Sequence, residues 1–179
     1  MNATRHPIGF DGGDCAMGEH MLVHLNVVRP LGPFTARHPN AQYFFGQLPL
    51  IFDNAKADES LYWHTHGARM PDGSYCDMDD LLRLQTERTE DNVHILTMAG
   101  WRDVRAMHRF AYRDTLHRKG MKMLRDWVDR SQGPTLVMWW SKKGTRVALE
   151  DGWSRLQHLR CSGPTEHAFT LQTPFYSPS

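Results

Sequence analysis

The 179-residue chain carries 21 Lys and Arg against 20 Asp and Glu, and 40% of its residues are hydrophobic. This near balance leaves no electrostatic footprint for nucleic acid or an anionic membrane surface, and no apolar run approaches the roughly 18–20 residues of a membrane span. A chain of this length buries about 70% of its unfolded surface, enough for one core and too little for two ordinary domains.

Residues 1–20 read as a flexible N-terminal arm, because Pro7, Gly9, Gly12, Gly13 and Gly18 interrupt a stretch with little apolar content. Met1 to Gly18 also lacks a signal-peptide apolar core. A single domain over 21–179 follows. The run Leu22-Val23-His24-Leu25-Asn26-Val27 predicts a first strand, and Arg29-Pro30-Leu31-Gly32-Pro33 turns the chain away from the ladder. Asn40 to Lys56 has apolar residues at helical spacing, with Pro49 expected to kink or split the helix. Leu61 to His66 predicts a second strand, Met70 to Ser74 a loop, Asp77 to Glu90 a short acidic helix, and Val93 to Met98 a third strand. Trp101 to Arg130 reads as mostly helical with a break between Asp114 and Gly120. A continuous apolar strand then runs from Thr135 to Trp140, with a helix over Val147–Arg160 and a last strand over Ala168–Leu171. Without a membrane span or signal core the chain is expected to be cytoplasmic, and Cys15, Cys76 and Cys161, odd in number and outside any CxxC pattern, argue against a disulfide framework or thiolate zinc site and for free thiols.

Side chains alternate along a strand, so His24 and Asn26 share a face, as do His64 and His66. A buried imidazole or amide without a partner costs about 1–3 kcal/mol, so polar residues spaced this way in apolar strands point to a pocket. His117, Met121, Leu124 and Val128 follow i, i+4, i+7, i+11 spacing, which places His117 on an inward apolar stripe. Imidazoles exchange protons near neutral pH, so His117, Asn26 and His24 form the catalytic set; Trp63, His64, His66, His94, Phe110 and Tyr112 are assigned to substrate binding. Blander readings stand beside these. His64 and His66 fit a half-exposed polar face, Asn26 a tie between strand and loop, and His117 a helix terminus. A metal needs three or more converging ligands, which HxH alone does not supply.

The residues Trp101, Phe110-Ala111-Tyr112-Arg113, His117, Trp127, Leu136-Val137-Met138-Trp139-Trp140, Leu156-Gln157-His158-Leu159-Arg160 and Gly163-Pro164-Thr165 with Ala168-Phe169-Thr170 carry a family resemblance. The segment resembles an uncharacterised bacterial domain-of-unknown-function family related to the antibiotic-biosynthesis monooxygenases of the dimeric α+β barrel superfamily. The resemblance covers roughly Met21 to Phe175. The arm and the acidic connection around Pro71 to Asp91 depart from it. It implies an α+β, ferredoxin-like antiparallel sheet whose first and third strands are central, covered by helices on one face, with a C-terminal helix-strand extension. The other face is then expected to be buried in a homodimer, with the Leu136–Trp140 strand as the interface. The expected function is a small-molecule tailoring enzyme, oxygenase-like or isomerase-like, acting on an apolar or aromatic compound between sheet and helices. The cofactor is open. Cofactor-free chemistry stands beside haem with His117 as axial ligand, a metal on histidines is the weaker variant, and a non-catalytic ligand-binding dimer is the third reading.

Overall fold

A computed structural model describes residues 18–57, 59–84, 91–113 and 115–178. Most of the expected arm, the second half of the expected acidic helix and Asp114 lie outside these described residues. The elements run β1 (His20–Val28), α1 (Pro39–Lys56), β2 (Leu61–Arg69), β3 (Tyr75–Asp77), α2 (Met78–Leu84), β4 (His94–Trp101), α3 (Val104–Arg113), α4 (Thr115–Met123), β5 (Leu136–Lys142) and α5 (Leu149–Ser162).

The strands form one antiparallel sheet in the order β3-β2-β4-β1-β5. β1 and β4 are central and β2 flanks β4, the α+β ferredoxin-like arrangement expected. The acidic connection contributes two additions. Met70 to Ser74 closes a turn with Met70 N–H donating to the Ser74 carbonyl at 2.8 Å, so β3 pairs with the end of β2. The Asp77 carboxylate then accepts from the Asp80 N–H at 2.7 Å and starts α2.

Pro49 does not split α1, which continues to Lys56. An interior proline removes a hydrogen bond and costs about 3 kcal/mol in isolation. Here Pro49 is on the exposed side, while Leu48, Ile51, Phe52 and Ala55 bury the opposite stripe, and that packing overrides the local preference. His38 caps the start, its Nδ1 accepting from Asn40 N–H at 3.2 Å.

Residues opposite one another in an antiparallel ladder share a face. Leu22, His24 and Asn26 therefore lie with Trp101, Ala99 and Thr97, whereas Val23, Leu25 and Val27 lie with Gly100, Met98 and Leu96. α1, α3 and α4 cover the first face through a core that includes Phe52, Ile95, Trp101, Met107 and Met138. The second face is not bare. α5 lies across it, burying Leu156 and Leu159 against Val23, Leu25, Val137 and Trp139. Gly152 permits this approach, since a Cβ there would stand 3.2 Å from Leu25 Cβ and 3.3 Å from Met98 Sδ. The Leu136–Trp140 strand thus has its inward residues Val137 and Trp139 buried within one chain, with no second copy required to cover them.

Close approach is tighter at Gly100, where a Cβ would meet the Trp63 indole nitrogen at 2.5 Å. The Trp63 indole packs against this glycine and donates its Nε1–H to Met21 Sδ at 3.3 Å. Gly100→Ala is expected to cost about 1–3 kcal/mol by overpacking, read from the urea midpoint. An unchanged midpoint would show that Trp63 is not fixed there.

The last expected strand contracts to a single bridge, in which Phe169 exchanges both backbone hydrogen bonds with Met138 at 2.8 and 2.9 Å. Tight turns on each side, Thr165 with Ala168 and Thr170 with Thr173, leave no room for a longer ladder.

Candidate active site

Between the sheet and α1, α3 and α4 lies a cavity of about 490 Å³, within the roughly 300–1,000 Å³ typical of small-molecule sites. His24, Asn26 and Thr97 form its floor, and Phe52, Phe110 and His117 stand on the helical side. The expected inward stripe of α4 holds: His117, Met121, Leu124 and Val128 all line the cavity, although the helix itself ends at Met123.

His24 is buried at 3% exposure and its Nδ1 accepts the indole N–H of Trp101 at 2.7 Å. A ring accepting at Nδ1 carries its proton on Nε2 when neutral. It is neutral: burial, and then the nearby His117, lower its pKa to about 3. The sequence reading made His24 part of an acid-base set; here it is instead a fixed hydrogen-bond donor at cellular pH. Asn26 is two residues along on the same face, and no hydrogen bond to its amide forms among the described residues.

His117 faces them from α4. Its Nδ1 lies 3.1 Å from the Ala111 carbonyl, which can only accept, so Nδ1 carries the proton and a neutral ring has its lone pair on Nε2. Phe110 packs at a tilt against His117, ring centroids 4.6 Å apart, and against Trp101 at 4.8 Å, and lies 6.5 Å from His24. One phenyl ring therefore spaces the two imidazoles. Tyr112 also lines the cavity, but at its rim, 51% exposed and packed on His108.

Four other expected binding residues lie elsewhere. His64 and His66 share the floor's face yet stand behind the Phe52 ring, His64 stacking on it at 4.2 Å and His66 at 6.2 Å. They support the wall instead of lining the cavity. Trp63 and His94 belong to the opposite face. Trp63 alternates with His64 and covers Gly100, and His94 shares parity with Leu96 and Met98, its ring meeting Trp153 of α5 edge-on at 4.8 Å.

Sequence reasoning missed Trp101 as the partner that sets the His24 tautomer, and Thr97, which pairs with Asn26 across the ladder. It also missed the α1 wall of Tyr43, Gln47 and Phe52. The helical spacing of α1 held the signal for the last group; the first two require the β1–β4 register.

The buried imidazoles make stability depend on pH. Burial, with Arg29, Arg69 and Arg160, lowers His94 to about 4; desolvation lowers His64 and His66 as well. An unfolded histidine titrates near 6.5, so below that pH the unfolded chain binds more protons than the folded one. Stability is expected to be insensitive to these groups above about pH 7. It should fall by on the order of a few kcal/mol between about pH 6.5 and 4, where His24 and His94 stay neutral in the fold. Urea midpoints measured across this range check it; a flat profile contradicts it.

Among the described residues no group of three or more His, Cys, Asp or Glu is arranged to hold a metal ion, and no helix is long and apolar enough to cross a membrane. The features define a ferredoxin-like α+β domain with a polar-floored, aromatic-walled cavity between sheet and helices. The chain belongs to the family described as Domain of unknown function (DUF3291), whose family model matches residues 21–179. No curated protein and no solved structure matches it.

Proposed function

We propose that the protein is a small-molecule tailoring enzyme, oxygenase-like or isomerase-like, acting on an apolar or aromatic compound in the cavity. What supports this is the convergence on one apolar hollow of a neutral imidazole donor, an amide without a hydrogen-bond partner among the described residues and a tethered second imidazole. His24 Nε2–H and the Asn26 amide hold an oxygen of the substrate and stabilise negative charge as it develops there. His117 Nε2 takes a proton from the substrate, the Ala111 carbonyl steadying the imidazolium through Nδ1–H. The resulting anion either regains a proton at another carbon, which is isomerisation, or gives electrons to dioxygen as cosubstrate. The resemblance to a family related to the antibiotic-biosynthesis monooxygenases leans the reading towards oxygen and towards a homodimer. Because α5 covers the second face of the sheet, a partner copy would meet α5 in place of bare strands.

Gly120 provides the test. It lines the cavity, and a Cβ there would find only Ile51 Cδ1, at 4.0 Å. Gly120→Phe should fill the space and abolish binding of the neutral aromatic probe N-phenyl-1-naphthylamine, which the unmodified protein should bind at one site, with no loss of melting temperature. Probe binding that survives the substitution would remove the cavity as the site. A Soret band in the purified protein would turn the reading to haem ligated by His117.

A further inference from the structure

On the opposite face of the sheet, under the start of β4 and one end of α5, a second hollow of about 510 Å³ is lined by Arg69, Asn92, His94, Gln132, Gln157 and Arg160, with Trp153 and Pro71. Arg69 comes from β2, Arg160 from α5, and Arg29, just past β1, reaches the same place by donating to the Asn92 side chain at 2.7 Å. Three guanidinium groups from three elements thus converge, each near enough to His94 to disfavour its protonation.

The charges there are poorly compensated. Arg29 pairs with Asp129 at 2.7 Å, whereas Arg69 has only the Tyr75 hydroxyl as a hydrogen-bond partner and the more distant Asp72 carboxylate, and neither Arg69 nor Arg160 makes a salt bridge among the described residues. Arg160 donates to two neutral oxygens, the Pro134 carbonyl at 3.0 Å and the Gln132 amide at 3.2 Å. Arg69 stacks over the Trp153 ring at 4.7 Å. His94, only 6% exposed, adds an independent sign. The Asn92 carbonyl lies close enough to favour its protonation weakly, yet neither ring nitrogen makes a hydrogen bond among the described residues. Unmatched guanidinium groups with buried polar atoms beside them are costly in a protein, and an anion removes the cost at both.

We propose that this hollow is a second binding site, for the oxyanion group of a small ligand, held between Arg69 and Arg160 with the amides of Asn92, Gln132 and Gln157 as neutral donors. Phosphate and carboxylate share this chemistry. Arg69, braced on Trp153, supplies a planar fork that suits either. The site is separate from the catalytic proposal, being on the other side of the sheet.

The test titrates the full chain with inorganic pyrophosphate and, separately, with citrate, by calorimetry at an ionic strength fixed with potassium chloride. At least one probe should saturate at one equivalent. Arg69→Gln and Arg160→Gln should each weaken it by about tenfold or more, whereas Gly120→Phe, which fills the other cavity, should leave it unchanged. Saturation by pyrophosphate alone identifies a phosphate ligand, and by citrate alone a carboxylate. Should Arg160→Gln fail to fold, since Arg160 also holds Pro134 and Gln132, Arg69→Gln decides, because Arg69 anchors no backbone group among the described residues. No saturation by either probe below about 10 mM, or affinity unaltered in folded Arg69→Gln, overturns the proposal.

Discussion

Phe169→Ala is expected to destabilise the protein by about 3–5 kcal/mol, the cost of emptying a fully enclosed aromatic site. Phe169 has 0% exposure and sits in the core on the cavity side of the sheet, where its ring touches Phe175 at 5.7 Å. The Trp140 indole fixes the same tail by donating to the Phe175 carbonyl at 2.8 Å. At roughly 2–4 °C per kcal/mol for a chain of this size, melting should fall by about 6–20 °C. Thr170, Leu171 and Gln172 form part of the cavity wall, so N-phenyl-1-naphthylamine should bind more weakly as well. A loss below about 1 kcal/mol would show that the tail rests on the core without sealing it.

His117→Ala should reduce turnover by about 10²–10⁴-fold at saturating substrate while leaving the fold intact, the range removed when a positioned general base is lost. The side chain is only half-buried, so emptying its site costs little core volume beside its proposed chemistry. Asn26→Leu, of similar volume, should lower turnover too by removing the amide that holds the developing charge. His64→Ala and His94→Ala distinguish cavity chemistry from a general response to losing an imidazole, because neither ring lines the cavity. Both should retain turnover per folded molecule. If His117→Ala and Asn26→Leu turn over as fast as the unmodified protein, neither side chain carries the chemistry and the catalytic assignment falls.

Much of this architecture was legible in the residues. Alternation within β1 put His24 and Asn26 on one face, and the apolar stripe of α4 turned His117 towards them; both are local patterns that a chain must obey whatever it packs against. Position across the sheet was not legible. His94 was grouped with His24, but the ladder sets His24 against Ala99 and Asn26 against Thr97, so an offset of one residue sends His94 to the other side. The irregularity between Leu61 and Trp63 in the pairing of β2 with β4 is likewise decided by contacts, not by composition. Arg29, Arg69 and Arg160 are scattered through the sequence and meet only because β1, β2 and α5 end at one place. The path of α5 was hidden for a related reason: its apolar residues were plain, but nothing in them says which face of a sheet they will cover.

The bridge between Phe169 and Met138 also bears on how copies of the chain can meet. In an antiparallel ladder backbone groups point alternately to either side, so those of Leu136, Met138, Trp140 and Lys142 point away from β1 along the outer edge of β5. Phe169 occupies the second of these four positions and the chain then turns off. An approaching strand therefore finds no uninterrupted row of donors and acceptors: Phe169 holds Met138, and the Lys142 carbonyl already accepts from Thr145 N–H at 3.2 Å. Edge-to-edge stacking, the common route by which exposed sheets aggregate, is obstructed by a single residue pair. A second copy can extend the sheet here only after the tail has left.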